Sequence, residues 1–448
     1  MNSPITSLLN GKAVSLLSLV ALLIFLPLLL LAAYETATII SRAAGEPARI
    51  IVDAGRETGE VIEPEFIHAF TEGKEEMNNW FRPGQTKASL PNPQRVRIKR
   101  LYDYYVTVTR QDGTLVFNFS RADRLIDAIR ATGALPVISL SYMPQGIARD
   151  GVITNQPVDW DEWSFVVQKT IEHFSGGGRN IPDIYYEVWN EPDLPQFGGW
   201  TLEGDKNYLT LYDYTAKGAG RVEGANRFYL GGPATSKLYQ NWVQALAGRE
   251  NRLDFLSWHT YSDDPARFAF DHQDVTAWLI RYPEAALLPR LITEFGFTDA
   301  KDLRYGTRFS TAYTASVFRY MAPLRPKGLF SIEPQYQLFS YLDRMKGVRL
   351  ALTGEGTWVK ALAIKQGTRR SILLVNYDPT GNHVETVPVS VIGLQNGTYE
   401  YSKHSIDGSV DEIRKTQTET IKDGTFTKQI YMPAQSVILL ELTLPNRR

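Results

Sequence analysis

The chain has no cysteine among its 448 residues. Disulfides, thiol nucleophiles and cysteine-ligated metals are therefore excluded. It also lacks a surplus of either charge: 48 Lys and Arg stand against 49 Asp and Glu, a net charge of −1. A nucleic-acid binder carries a basic face, so no nucleic-acid partner is expected. The six histidines show no metal-ligand spacing, and neither metal nor cofactor is expected. Gly176-Gly177-Gly178 lacks the Lys-Ser/Thr of a phosphate-binding loop. Neither a Gly-x-Ser-x-Gly elbow nor an internal repeat occurs.

Long apolar runs are missing too, with one exception. Val14 to Ala33 is uncharged and almost wholly apolar over 20 residues, enough to cross a bilayer about 30 Å thick as a helix. Lys12 precedes it and Glu35 follows it, which favours a cytoplasmic N-terminus and an exported body. The expectation is a signal anchor at 14–33 after a cytoplasmic segment 1–13, then a linker at 34–49. The alternative is a cleaved signal peptide with Ser41-Arg42-Ala43 as its cleavage context.

What the remaining sequence does have is alternation of short apolar runs with amphipathic stretches, the pattern of βα units around a parallel sheet. Strands are expected at 65–70, 96–101, 135–140, 184–189, 228–232, 255–259, 289–293 and 328–332. Helices are expected at Arg121–Thr132, closed by Gly133, and at Asp161–Phe174, with Trp163, Val166, Val167, Ile171 and Phe174 on one face. Eight strands with intervening helices predict an α/β fold, a TIM (β/α)8 barrel over residues 50–350. A doubly wound open sheet is the other candidate, but no Gly-rich dinucleotide turn follows the first strand. Beyond Leu350 the texture becomes β-rich, with runs at Ser371–Val375 and Ser436–Leu440 and turn signals at Asn396-Gly397, Asp407-Gly408 and Asp423-Gly424. Residues 351–448 are expected to form an antiparallel β-sandwich.

Barrel active sites lie at the C-terminal ends of the strands. Two expected strands end there in an acid: Val188-Trp189-Asn190-Glu191-Pro192 and Leu291-Ile292-Thr293-Glu294-Phe295. An isolated Glu is usually a solvated loop carboxylate. Two at separate strand mouths can flank a glycosidic bond, one protonating the leaving oxygen and the other attacking the sugar or activating water. Pro192 restricts the backbone at Glu191, and Asn190 adds a neutral hydrogen-bonding group. Trp200, after Phe197-Gly198-Gly199, could stack on a sugar or fill the core.

Tyr186-Glu187-Val188-Trp189-Asn190-Glu191-Pro192 resembles the acid/base segment of glycoside hydrolase family 39, which includes β-xylosidases and α-L-iduronidases. Val116–Ser120 with Asp123-Arg124, Leu135–Val137 to Met143-Pro144, Gly231–Ala234, Leu253–Phe255 with His259, and Thr293-Glu294 are similar to the family's successive segments. The resemblance implies Glu191 as general acid/base, Glu294 as nucleophile, Asn190 on the sugar hydroxyl beside the reacting carbon, and His259 lining the site. Arg97 and Tyr261, on the strands of Lys99 and His259, are also expected to bind substrate. Two positions depart from the xylosidases: Lys99 stands where they have a histidine, and Phe330-Ser331-Ile332-Glu333-Pro334 replaces their aromatic-rich eighth strand. Lys99 and Glu333 are therefore expected in the sugar subsite, favouring something other than a neutral pentose. The implied function is retaining hydrolysis of an oligo- or polysaccharide outside the cytoplasm. The rivals are a catalytically silent glycan-binding or scaffold protein and a transglycosylase.

Overall fold

The structure, a computed structural model, describes residues 45–71, 94–333, 335–406 and 413–445. The apolar run 14–33 and the Asp407-Gly408 turn lie outside them. Among the described residues no helix is long and apolar enough to cross a membrane.

The first described element is a long strand, β1 (Ile50–Ile62), followed by β2 (Ala69–Thr71), β3 (Arg95–Ile98), a hairpin of β4 (Thr107–Gln111) and β5 (Thr114–Asn118), and β6 (Leu135–Leu140). Then come β7 (Ile184–Val188), β8 (Phe228–Thr235), β9 (Phe255–Tyr261), β10 (Arg290–Gly296) and β11 (Gly328–Ser331). Strands β2, β3 and β6 to β11 close into an eight-stranded barrel, every pair of neighbours parallel. Among the described residues six helices of eight residues or more cross between them: α1 (Ser120–Ala131), α2 (Trp160–Phe174), α3 (Tyr208–Gly220), α4 (Gln240–Ala247), α5 (Arg267–Trp278) and α6 (Arg308–Met321).

Local sequence explains these elements. In α2, Asp159 caps the N-terminus by accepting from the Asp161 N–H, and Trp163, Val166, Val167, Ile171 and Phe174 form the buried face. Gly133 ends the region of α1 at φ 92°, a conformation that favours glycine. The strand expected at 65–70 is instead a 3-10 turn, Pro64–Ile67, leading into the short β2. Pro64 at the first position of that turn pre-sets its φ, and Phe66 stacks on Phe318 at 5.5 Å.

Period-two alternation sets the barrel interior. Ala69, Val137, Tyr185, Phe255, Leu291 and Phe330 make one buried apolar cluster. Two residues further along their strands, on the same face, stand Thr71, Ser139, Glu187, Ser257 and Thr293, all buried. Arg97 is likewise two residues beyond Arg95, whose guanidinium lies over the Tyr185 ring. An apolar floor thus carries a polar layer that leads up to the C-terminal mouth.

The remaining strands are β12 (Gly347–Thr353), β13 (Val359–Gln366), β14 (Arg369–Asn376), β15 (Glu385–Ile392), β16 (Gly397–Ile406), β17 (Ile413–Ile421), β18 (Phe426–Met432) and β19 (Ser436–Thr443). With β1 they form one nine-stranded sheet, ordered β17-β16-β19-β14-β13-β12-β1-β15-β18. The sheet folds over on itself: Tyr401 of β16 and Phe426 of β18, near its opposite ends, meet at 5.1 Å. Turns at 396–397 and 423–424 join strands that do not pair with each other. They carry the chain from one layer to the other, and Asn396 Oδ1 accepts from the Gly424 N–H at 3.0 Å.

The sheet is therefore not purely antiparallel, since β1 pairs in parallel with β15. The boundary drawn at residue 50 also moves. Ile50–Ile62 belongs to the nine-stranded sheet, and the barrel strands begin at Ala69. The barrel and sheet share a core in which Tyr313, Val317 and Phe318 of α6 pack with Leu362, Leu373 and Leu439.

Candidate active site

Strand β7 ends in a backbone turn that presents Glu191. Trp189 and Glu191 both adopt left-handed conformations, at φ 71° and 47°, which cost non-glycine residues about 1–3 kcal/mol each. The surroundings hold them there. The Ser139 hydroxyl donates to the Trp189 carbonyl, and the Glu191 N–H donates to the Ala234 carbonyl at 2.9 Å. Asn190, between the two, points inward and is buried. Its Oδ1 accepts from Arg97 Nη2 at 2.9 Å and its Nδ2 donates to the Tyr142 hydroxyl at 3.2 Å.

Glu294 lies near the end of β10, where the register with β9 shifts between Ile292 and Glu294. Its side chain is 5% exposed. Arg97 Nη1 donates to Oε1 at 2.9 Å, Lys99 Nζ lies 3.5 Å from the same oxygen, and the Tyr261 hydroxyl donates to Oε2 at 2.8 Å. Burial alone would raise the Glu294 pKa. The charges of Lys99, His259 and Arg97 and the Tyr261 hydrogen bond overcome it and hold the carboxyl well below the usual carboxylate range. Burial, and then the neighbouring Glu294 charge, push the Tyr261 hydroxyl up, so it stays a donor. Glu191 is less enclosed, at 14% side-chain exposure, and its Oε1 lies 3.1 Å from His259 Nδ1.

The decisive dimension is the gap between the acids. One carboxylate oxygen of Glu191, one of Glu294 and one His259 ring nitrogen all lie within 4.8 Å of one another. Retaining glycosidases hold their carboxyl groups about 5–5.5 Å apart, and inverting ones about 6.5–9.5 Å. Three such ligands could in principle hold a metal. Here Arg97, Lys99 and Tyr261 already direct their donors at Glu294, and a dication would meet two fixed positive charges.

Six of the residues singled out from the sequence thus converge with Glu191: Glu294, Asn190, His259, Arg97, Lys99 and Tyr261. Trp200 does not join them as a sugar platform. It is 2% exposed and packs edge-on against Trp189 and Trp160, so it supports the turn from behind. Glu333 follows β11, and its carboxylate faces Gln335 Nε2 at 3.4 Å, on the side of Gly306. Three participants had not been singled out. Tyr142 orients Asn190. Glu187, fully buried, accepts from Arg97 Nε at 2.7 Å. Thr293 donates to the other Glu187 oxygen at 2.8 Å. The available signal was an acid inside an otherwise apolar strand, in phase with the barrel interior.

A cleft of about 700 Å3 opens at the opposite end, where Arg95, Leu135, Arg290 and Gly328 begin their strands. Its size does not make it the active site. The converging acids are at the C-terminal mouth, where barrel enzymes place their chemistry.

Tyr261→Phe tests the electrostatics. It removes one influence that lowers the Glu294 pKa, so that pKa should rise. A nucleophilic carboxylate works above its pKa, so the acidic limb of kcat/KM should move to higher pH. The rate on an activated aryl glycoside should fall about ten- to a hundredfold, the value of one hydrogen bond to a charged group. A limb that stays put or moves to lower pH would contradict this account.

Fold and site together define a barrel glycosidase whose two acids face each other at the C-terminal mouth, an oxygen of each within 4.8 Å of the other. Residues 69–300, about half of the chain, match Glycosyl hydrolases family 39, and the chain belongs to that family. It is a glycosidase, and a retaining one by family. A β-xylosidase of Caldicellulosiruptor saccharolyticus is 26% identical over 351 residues, covering 66% of this chain and 69% of the relative. An α-L-iduronidase of Canis lupus familiaris is 25% identical over 248 residues, but only 36% of its length is matched. A monomeric β-xylosidase of Caulobacter crescentus superposes with a TM-score of 0.69 at 19% identity, over 88% of this chain and 99% of that one. A family 39 enzyme of Xanthomonas axonopodis pv. citri gives 0.67 at 18% identity, over 89% and 97%.

Proposed function

We propose that the protein hydrolyses glycosides by double displacement, with Glu294 as nucleophile and Glu191 as general acid and then base. The observation that supports these roles most is that one oxygen of each lies within 4.8 Å of the other. Glu294 is ionised and held by three donors, as a nucleophile must be. Glu191 is the more exposed acid, at the side from which a leaving group departs and water arrives. Asn190, locked between Arg97 and Tyr142, presents its amide beside the reacting carbon. Proton NMR of the first-formed sugar tests the reading: the product should carry the anomeric configuration of the substrate. An inverted first product would overturn it.

The glycone is proposed to carry negative charge. Lys99 is 32% exposed at the side chain while it contacts Glu294, so its ammonium borders both the nucleophile and the open site. Lys99→Met keeps all but the last atom of the side chain's length and removes the charge. It should lower kcat/KM for an aryl hexuronoside relative to an aryl xyloside by about tenfold, or about 1.4 kcal/mol. An unchanged ratio would remove Lys99 from substrate selection.

The substrate is proposed to be an oligo- or polysaccharide outside the cytoplasm, reached by a catalytic body tethered through residues 14–33. The 20-residue uncharged run supports the tether. Recovery from the source cells of only a soluble, N-terminally trimmed protein would refute it.

A further inference from the structure

We propose that Glu187 is a positioning residue that balances the charge of Arg97 while the nucleophile's own charge is consumed. The inference rests on the double-displacement roles above and goes beyond them to a residue that touches no substrate.

Arg97 is 0% exposed and has three acceptors within the barrel. Its Nε donates to Glu187, its Nη1 to Glu294 and its Nη2 to the neutral Asn190 amide. Nη2 also stands 2.5 Å from the same Glu187 oxygen. Glu187 is itself 0% exposed and is held from the far side by the Thr293 hydroxyl. Thr293 immediately precedes the nucleophile. Thr293, Glu187 and Arg97 therefore form a buried chain that ends on the reacting carboxylate and on Asn190.

In the first step a lone pair of Glu294 forms a bond to the anomeric carbon. The bond from that carbon to the leaving oxygen breaks, and its electron pair stays on that oxygen, which takes the Glu191 proton. Glu294 ends as a neutral ester. Arg97 then keeps one anionic contact, Glu187, because Asn190 carries no charge. Lys99 is partly exposed and can be hydrated. Arg97 has no such recourse, and a buried charge stripped of its partner is strongly disfavoured. Without Glu187, Arg97 would bind Glu294 more tightly before the step and afterwards face only the more distant Glu191, which stays neutral where the leaving group needs no proton. The first step should therefore slow selectively, whereas a merely damaged site slows both steps.

The experiment uses the full chain and Glu187→Gln, with 2,4-dinitrophenyl glycosides, whose leaving group needs no protonation. Release of dinitrophenolate in a single turnover reads the first step. Recovery of activity from the 2-deoxy-2-fluoroglycosyl enzyme reads the second. The first should fall at least about a hundredfold in the folded variant, and the second should not slow. Thr293→Val keeps both charges but frees one Glu187 oxygen. It should slow the first step about tenfold, and it decides the matter if the glutamine variant does not fold. Equal slowing of both steps, or an unchanged first step, overturns the role of Glu187 alone. A parent enzyme that forms no fluoroglycosyl intermediate overturns the double-displacement reading, and this proposal with it.

Discussion

Glu294→Ala should leave no measurable turnover of any glycoside, activated or not. The loss should be on the order of 10^5- to 10^6-fold, as when a covalent nucleophile is removed elsewhere. The geometry makes this the most severe single change. Arg97, Lys99 and Tyr261 all converge on this carboxylate, and no other described acid shares that set of partners. Improving the leaving group cannot compensate, because no bond to the anomeric carbon can form. Retention of even a few per cent of the activity on a dinitrophenyl glycoside would show that the attacking group lies elsewhere. The variant should fold, since Arg97 keeps Glu187 and Asn190 as acceptors. Far-ultraviolet circular dichroism would check that.

Glu191→Ala should behave differently in kind. Loss of a general acid costs about 10²- to 10⁴-fold where the leaving oxygen must be protonated. Natural linkages should therefore suffer by that factor, while the first step with a dinitrophenyl leaving group stays close to the parent rate. The second step should then limit, since no base activates water, and the glycosyl-enzyme should accumulate. Azide needs no base and should fit the space left by the missing carboxyl, next to His259. It should restore turnover and yield a glycosyl azide of the substrate's own configuration. The two acids exchange roles if azide rescues the Glu294 variant instead. Equal loss in both variants on activated substrates, with no rescue of either, would refute the assignment altogether.

The sequence made some of this site legible because strand ends announce it. An acid that follows an apolar run at a strand's C-terminal end is placed at the barrel mouth by topology alone, and both Glu191 and Glu294 stand there. Lys99 and Tyr261 could be read in the same way, from the ends of β3 and β9. Trp200 could not, because an aromatic after a Gly-Gly turn reads alike whether its ring faces a sugar or the back of Trp189. Glu187 was hidden for a different reason. Its role depends on Arg97 and Thr293, which are distant in sequence and meet only when the barrel closes. The eight barrel strands followed from alternation and length, apart from the first, where Pro64 shaped a turn. The place of Ile50–Ile62 was hidden as well. No strand is expected there, and nothing local shows that its neighbours are β12 and β15 rather than the barrel.

That strand governs the order in which the molecule can be assembled. Ile51 pairs with Thr353 and Ile50 with Val389, so the first described strand waits for partners made near the end of synthesis. While the barrel emerges from the ribosome, β1 carries two bare edges, the kind of surface that invites pairing with other chains. A truncation after residue 350 would make that temporary exposure permanent. In the folded protein β1 is instead held between β12 and β15, so the barrel is an insertion within the chain of the nine-stranded sheet. A pull at Ile50 would be borne first by the ladders β1 makes with β12 and β15, before it reached the strands that hold Glu191 and Glu294.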